Sequence, residues 1–414
     1  MADTAAHLVD RVFPEVPVRQ WVLSLPYALR YRLAYDAQLV RDVLRIFVQE
    51  VFGSLRRRAR ARSAIRQVEC GAVTFVQRFG DALNLNVHFH MLALDGVYAA
   101  GEGGCLRFDP LPPPGDAEVA RVAARIARRI VTLLQRRGLG PQSDAEETDR
   151  LRRDQPLLAE LYGASVCGRI ATGPRAGRRV TAVGDRIDVE SLEALAGPRC
   201  ATVSGVSVHA NVCVPAHDRM RLERLCRYTG RPPLALERLS LLPDGRLLYR
   251  LKRHWRNGTT HVVFEPLELI EKLAALVPPP RFNLVRYHGI LAPGSRYRGL
   301  VVPQGPDAGV TDDSGHPGCP ARSNRAELRP DGACLRKQGS GSRPRNYSWA
   351  ELMRRVFAID VLECPACGGR MRILCAIHPP EAIRKILDCL GLPSRPPPIS
   401  SAALEDDADE LQIS

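Results

Sequence analysis

The sequence predicts an α+β fold, a largely antiparallel sheet with flanking helices, followed by a small cysteine-containing module. Three observations carry this. Short β-branched or alternating segments are joined by tight turn signals: Gly80-Asp81 lies between segments 69–79 and 84–94, and Pro243-Asp244-Gly245 folds 239–251 into a hairpin. Helical periodicity enters irregularly among these segments instead of alternating with them one for one, which is not the pattern of a parallel βαβ sheet. Beyond residues 303–346, where Gly, Pro, Ser and Asp dominate and apolar periodicity vanishes, a Cys-Pro-Ala-Cys-Gly-Gly run begins at Cys364.

Residues 19–25 (Arg-Gln-Trp-Val-Leu-Ser-Leu) read as a strand closed by Pro26. From Asp36, Leu39, Val43, Ile46, Phe47, Val51 and Leu55 recur on one helical face, and that helix ends in a basic run, Arg56 to Arg62, which complements its C-terminal dipole. Three prolines, Gly115 and Asp116 then break the chain and start a second amphipathic helix through Val119, Val122, Ile126, Ile130 and Leu133, closed by Gly138. Residues 139–200 read as irregular, and 201–214 as strand. Asp218 caps a short helix that stops at Thr229-Gly230, before Pro232-Pro233.

With 59 Lys+Arg against 45 Asp+Glu in 414 residues, the net charge of +14 favours a polyanionic partner, most often nucleic acid. The cations are nearly all arginine, the only lysines being Lys252, Lys272, Lys337 and Lys385; guanidinium suits phosphate recognition. Apolar runs stop far short of the roughly 20 residues of a membrane span. The N-terminus lacks a basic region leading into an apolar core, and the 12 cysteines form no secreted disulfide framework, so the expectation is a reduced, cytoplasmic protein without membrane contact.

Three constellations could carry chemistry. On a strand, Asn84-Leu-Asn-Val-His-Phe-His places Asn84, Asn86, His88 and His90 on one face and Leu85, Val87 and Phe89 on the other, so both imidazoles can reach one metal ion. Gln77 is the candidate third ligand, ahead of Glu69 and Asp95, with His209 approachable from a paired strand. The plainer alternative is a hydrogen-bonded histidine pair on a half-exposed sheet. On the capped helix, Arg221, Arg224 and Tyr228 share one side with Arg227 and Arg231 close by, a setting for a tyrosine attacking a phosphodiester held by guanidinium groups; the alternative is a surface tyrosine on a basic helix. Cys364 and Cys367 form half of a zinc site, with Cys375, His378 or Cys389 within range to complete it.

Taken together, Trp21-Val-Leu-Ser-Leu-Pro, Phe75-Val-Gln-Arg-Phe-Gly leading into the His88/His90 strand, Leu225-Cys-Arg-Tyr-Thr-Gly-Arg-Pro-Pro, Arg286-Tyr-His-Gly-Ile-Leu-Ala-Pro and the C-terminal Cys-Pro-x-Cys-Gly-Gly resemble the bacterial rolling-circle insertion-sequence transposases. The type is insertion sequence ninety-one, within the HUH (His–hydrophobic–His) single-strand endonucleases, and the likeness runs from about residue 2 to 298 and again over 347–392. It implies that His88 and His90 hold magnesium or manganese. Tyr228 would then attack single-stranded DNA at transposon ends and targets, leaving a 5′-phosphotyrosine and a free 3′-hydroxyl. Relatives with paired tyrosines four apart have a tyrosine where Arg224 stands, which implies a single-tyrosine variant.

The expected organisation follows: 1–15 a remnant of an N-terminal zinc-binding region, 16–95 and 201–302 two parts of the catalytic domain, 96–200 a helical and irregular insertion. Then come 303–346 as a flexible linker, 347–396 as a zinc-ribbon-like module and 397–414 as a disordered tail. Tyr249 and Tyr287 are rival nucleophiles, and Trp21, Phe75, Phe79 and Trp255 candidate platforms for unpaired bases. Two other classes stand against the transferase, a non-catalytic DNA-binding protein and a small-molecule metallohydrolase. The latter is disfavoured because the later histidines are scattered.

Overall fold

The computed structural model describes residues 1–62, 67–100, 106–139, 149–184, 197–252, 254–255, 257–303, 347–372 and 377–393. The linker and tail expectations, and Cys375, lie outside these residues. The first third of the chain contains α1 (Ala2–Arg11), β1 (Val18–Ser24), α2 (Tyr27–Tyr35), α3 (Ala37–Arg62), β2 (Val68–Glu69), β3 (Gly71–Phe79), β4 (Leu85–Leu94), β5 (Gly96–Ala100), β6 (Leu106–Pro110) and α4 (Asp116–Arg136). Next come α5 (Arg150–Asp154), α6 (Pro156–Val166), β7 (Thr181–Gly184), β8 (Cys200–Val203), β9 (Val206–His209), β10 (Cys213–Val214) and α7 (Arg219–Thr229). The remainder is β11 (Leu239–Leu241), β12 (Leu247–Arg250), β13 (Thr259–Phe264), α8 (Pro266–Leu276), β14 (Val285–Gly289), α9 (Arg298–Val301), α10 (Trp349–Phe357) and α11 (Pro380–Cys389).

The fold is α+β, as the sequence predicts. A central antiparallel sheet has the strand order β14-β3-β4-β1-β9-β8, with β10 pairing the other end of β1. Smaller sheets are β11-β12-β13-β7 and β2-β5-β6. The reading of 139–200 as irregular needs correction, because its described residues include α5, α6 and β7. α6 (Pro-Leu-Leu-Ala-Glu-Leu-Tyr-Gly-Ala-Ser-Val) is apolar on most sides, so it shows no amphipathic period; Pro156 starts it.

The alternation on β4 sorts the core into two layers. Val87, Phe89 and Met91 face a cluster with Trp21, Leu23 and residues of α3 and α4, including Phe47, Val51, Val122 and Ile126. Leu92 and Leu94, in phase with His88 and His90, face a second cluster containing Leu8 of α1 and Leu222, Leu225 and Cys226 of α7. α7 therefore lies across the histidine face. α10 steadies it from behind: Arg355 pairs with Asp10 of α1 (2.5 Å) and with Glu223 of α7, and Tyr347 donates to Asp10 (2.6 Å).

Phe47 is wholly buried, with its ring centroid 6.4 Å from that of Phe89. Phe47→Ala is expected to destabilise the chain by about 3–5 kcal/mol through lost transfer energy and a residual cavity. Urea unfolding checks this.

Candidate active site

Tyr228 occupies the last turn of α7. The Asp218 carboxylate caps the helix by accepting from Arg221 N (2.9 Å), while Leu222, Leu225, Cys226 and Thr229 are buried and fix its rotation on the sheet. Pro232 and Pro233 prevent continuation past Gly230. At this terminus the carbonyls lack helical donors, and Gln77 of β3 supplies one: its Nε2 donates to Thr229 O (2.7 Å) and Tyr228 O (3.5 Å). The tyrosine is thereby held, half-buried, over β4.

There it meets the histidine pair. The imidazole centroids of His88 and His90 are 4.9 Å apart, and Tyr228 stands edge-on to His90 at 6.1 Å with an interplanar angle of 84°. Both rings are anchored through Nδ1. His88 Nδ1–H donates to the Asn86 carbonyl (2.9 Å), and His90 Nδ1 lies 2.7 Å from the Gln20 amide on β1. Burial pushes His88 down to about 4, assisted by the positive charges of Arg231 and Arg30. His90 is also pushed well below the usual imidazole value, by burial first and then by His88, Arg231 and Lys252. Both rings are neutral near pH 7, the form that ligates metals.

Two cations flank the phenol. Lys252 Nζ lies 4.2 Å and Arg231 Cζ 4.5 Å from the Tyr228 ring centroid, and Arg231 also reaches the Phe79 ring at 5.6 Å. Lys252 follows β12, and its backbone N–H donates to Asp81 (2.9 Å), an acid already paired with Arg238 (3.1 Å). Together these groups line a cleft of about 440 Å³ that His209, His254 and Trp255 also enter.

The structure thus brings together Tyr228, His88, His90, Gln77 and Arg231. It separates the other predicted phosphate contacts. Arg221 and Arg224 are exposed, and Arg224 and Arg227 line a different groove between α1, α7 and α10, where Arg227 pairs with Glu223 (3.5 Å). Asp95 is bound to Arg19 in a buried ion pair (2.7 Å). Glu69 is on β2, in another sheet. His209 lies in the row Val22 joins to His90, with Nε2 at 3.0 Å from Cys200 Sγ.

Of the expected base platforms, Trp21, Phe75 and Phe79 are buried at 0%, 3% and 8% exposure, whereas Trp255 is 40% exposed. Trp21 is inaccessible because strand parity turns it towards α3, opposite Gln20 and Val22. Tyr249 is fully buried in the core of the β11–β13 sheet, and Tyr287 packs against the second cluster. Gln20 and Lys252 were missed in sequence; Lys252 was flagged only by the rarity of lysine in this chain.

At the C-terminal end, Cys364 N donates to Gly369 O (2.9 Å) and Gly368 N to Cys364 O (2.8 Å), with Gly368 at φ +67°, a tight glycine-closed turn carrying Cys364 and Cys367. Backbone N–H groups of Ala366 and Cys367 lower the Cys364 thiol below its ordinary value. His378 is exposed just before α11. Among the described residues, no three His, Cys, Asp or Glu side chains converge on one point.

The family described as "Putative transposase" matches residues 71–298, more than half of the chain, and the chain belongs to that transposase family. The matched span holds the histidine strand, Tyr228, Arg231 and Lys252, and this membership indicates DNA as the partner. No curated protein and no solved structure matches the chain. Among the described residues, no helix is long and apolar enough to cross a membrane.

Proposed function

We propose that the chain cuts single-stranded DNA and transfers it through a covalent bond to Tyr228, the rolling-circle chemistry of HUH enzymes. The observation that carries this reading is the Tyr228 phenol standing edge-on to His90, with Lys252 Nζ 4.2 Å and Arg231 Cζ 4.5 Å from its ring centroid. Arg231 and Lys252 would hold the scissile phosphate and stabilise charge developing on it. The Tyr228 oxygen forms the new bond to phosphorus as the bond to the 3′ oxygen breaks. The phenol gives up a proton and the departing 3′ oxygen takes one, leaving a 5′-phosphotyrosine. One phosphodiester replaces another, so resealing onto a target 3′-hydroxyl needs no nucleotide cofactor.

The donor set fits a divalent ion. Asn86 O fixes the His88 proton on Nδ1 and leaves Nε2 as ligand atom. For His90 the same tautomer needs the Gln20 amide to present its oxygen, a half-turn that moves no heavy-atom position. Gln77 has its nitrogen committed to the helix end, so only Oε1 is left to ligate. Magnesium or manganese held there would polarise the scissile phosphate. Hard ions of this kind accept water and phosphate oxygens in the remaining positions. Zinc on Cys364 and Cys367 belongs to the same proposal.

Oligonucleotides carrying candidate element ends, incubated with magnesium or manganese, test it. A protein–DNA band that survives denaturation and vanishes with chelator is expected; DNA binding indifferent to chelator, with no such band, would make this a non-catalytic DNA-binding protein. Lys252→Ala should slow adduct formation roughly 100-fold while leaving it detectable, since one charge-stabilising group is lost and the nucleophile remains. Single-turnover kinetics read that loss.

A further inference from the structure

Beyond the Tyr228 cleft lies a second groove, of about 760 Å³, and the two share Trp255, Asn86 and Asp81 along their walls. Three arginines stand among the otherwise mostly neutral residues of its remaining wall: Arg30, Arg169 and Arg179 line it, and Arg169 and Arg179 are exposed partners in an isolated β-bridge. None of the three is ion-paired to an acid among the described residues. Arg30 donates to Leu25 O (2.8 Å) and Arg169 to Gly177 O (2.6 Å), which fixes the guanidinium groups without neutralising them. Lys272, deeper in the groove, is already paired with Glu271 (3.2 Å), and Asp81 with Arg238.

Two exposed aromatic rings accompany this charge. Trp255 stands where the groove meets the cleft, its backbone N–H donating to Thr259 O (2.9 Å). Tyr27, 61% exposed, carries Arg30 over its ring at 4.2 Å. A ring open to solvent beside a guanidinium can stack on a base only if that base's face is uncovered, as in a single strand; in a duplex neighbouring pairs cover it.

We propose that this groove is the track for one arm of the single-stranded DNA as it leaves the Tyr228 cleft, with Trp255 and Tyr27 stacking on bases and Arg30, Arg169 and Arg179 contacting phosphates. The proposal rests on the single-strand reading of the cleft and adds the path of the strand. It also answers where stacking occurs in a chain whose other candidate rings are buried.

The test is binding of a fluorescent oligo(dT) of about 20 nucleotides to the full chain carrying Tyr228→Phe, so that no cleavage intervenes. Arg169→Ala/Arg179→Ala should weaken binding roughly tenfold and reduce the slope of log affinity against log salt by about 1.4, two single-strand phosphate contacts' worth. Trp255→Ala should weaken it roughly 5- to 100-fold, and Trp255→Phe should recover most of that loss. Arg125→Ala/Arg128→Ala removes the same charge from exposed positions on α4 that line neither groove. This control should change affinity less than about twofold.

Thermal melting confirms that each variant is folded. The track is overturned if its variants bind like the parent, if the α4 control weakens binding equally, or if the parent does not bind oligo(dT). Adduct formation by the chain with Tyr228 intact is scored separately. A failed track with a normal adduct, or a normal track with no adduct, therefore identifies which proposal has failed.

Discussion

Tyr228→Phe is expected to abolish covalent attachment to single-stranded DNA, a loss of more than about 10⁴-fold, because the reaction has no other route once its nucleophile is removed. The substitution deletes one oxygen and keeps the ring that lies against His90, Arg231 and Lys252. Folding and DNA affinity should therefore stay close to those of the parent, within about twofold for affinity, separating a lost reaction from a lost structure. Neither rival tyrosine is placed to take over. Tyr249 is fully buried in the core of the β11–β13 sheet. Tyr287 pairs in register with Val73, two residues along β3 from the row containing Phe75 and His90, and packs against the core beside Arg298.

The second large effect is expected from His88→Ala/His90→Ala. Adduct formation should fall by more than about 10³-fold and lose its dependence on magnesium or manganese, since the ligating nitrogens are gone. A second readout does not involve DNA. A metal at 100 times its dissociation constant stabilises the folded parent by about 2.7 kcal/mol. That rise in melting temperature should be absent in the double variant. Oligonucleotide binding through Arg231 and the exposed arginines should persist. If the variant keeps both its metal-induced stabilisation and its adduct, the pair is structural and the cleft is not a metal site.

Much of this arrangement was legible in the sequence, for definable reasons. The period of two in Asn86-Val-His-Phe-His90 states which side chains share a face whatever the strand's neighbours are, and the structure keeps that partition, apolar towards Phe47 and polar towards α7. The Asp218 cap and the Gly-Arg-Pro-Pro stop likewise define α7 locally. What was illegible depends on pairing between distant segments. Gln20 reaches His90 only because β1 lies beside β4, with Gln20 opposite Leu92 and Val22 opposite His90. Lys252 arrives from an element that pairs with β13 in another sheet. A strand buried on both faces, such as β1, does not show which set of its side chains will join the histidines, so Trp21 looked as available as Gln20. The four arginines grouped around Tyr228 in sequence diverge for a similar reason: packing Leu222 and Leu225 onto the sheet turns Arg224 outward and leaves Arg231, beyond the helix end, to fold back over the tyrosine.

The central claim is that DNA becomes bonded to Tyr228, and locating the bond tests it most directly. A covalent complex formed with magnesium or manganese would be digested with nuclease and trypsin and the remaining nucleotide located by mass spectrometry. Arg231 is followed by Pro232 and resists trypsin, so the peptide of interest begins at Tyr228 and ends at Arg238, with Tyr228 its only tyrosine. The account predicts the added nucleotide mass on that peptide. Finding it instead on the peptide carrying Tyr249 or Tyr287, with the Tyr228 peptide unmodified, would contradict the account.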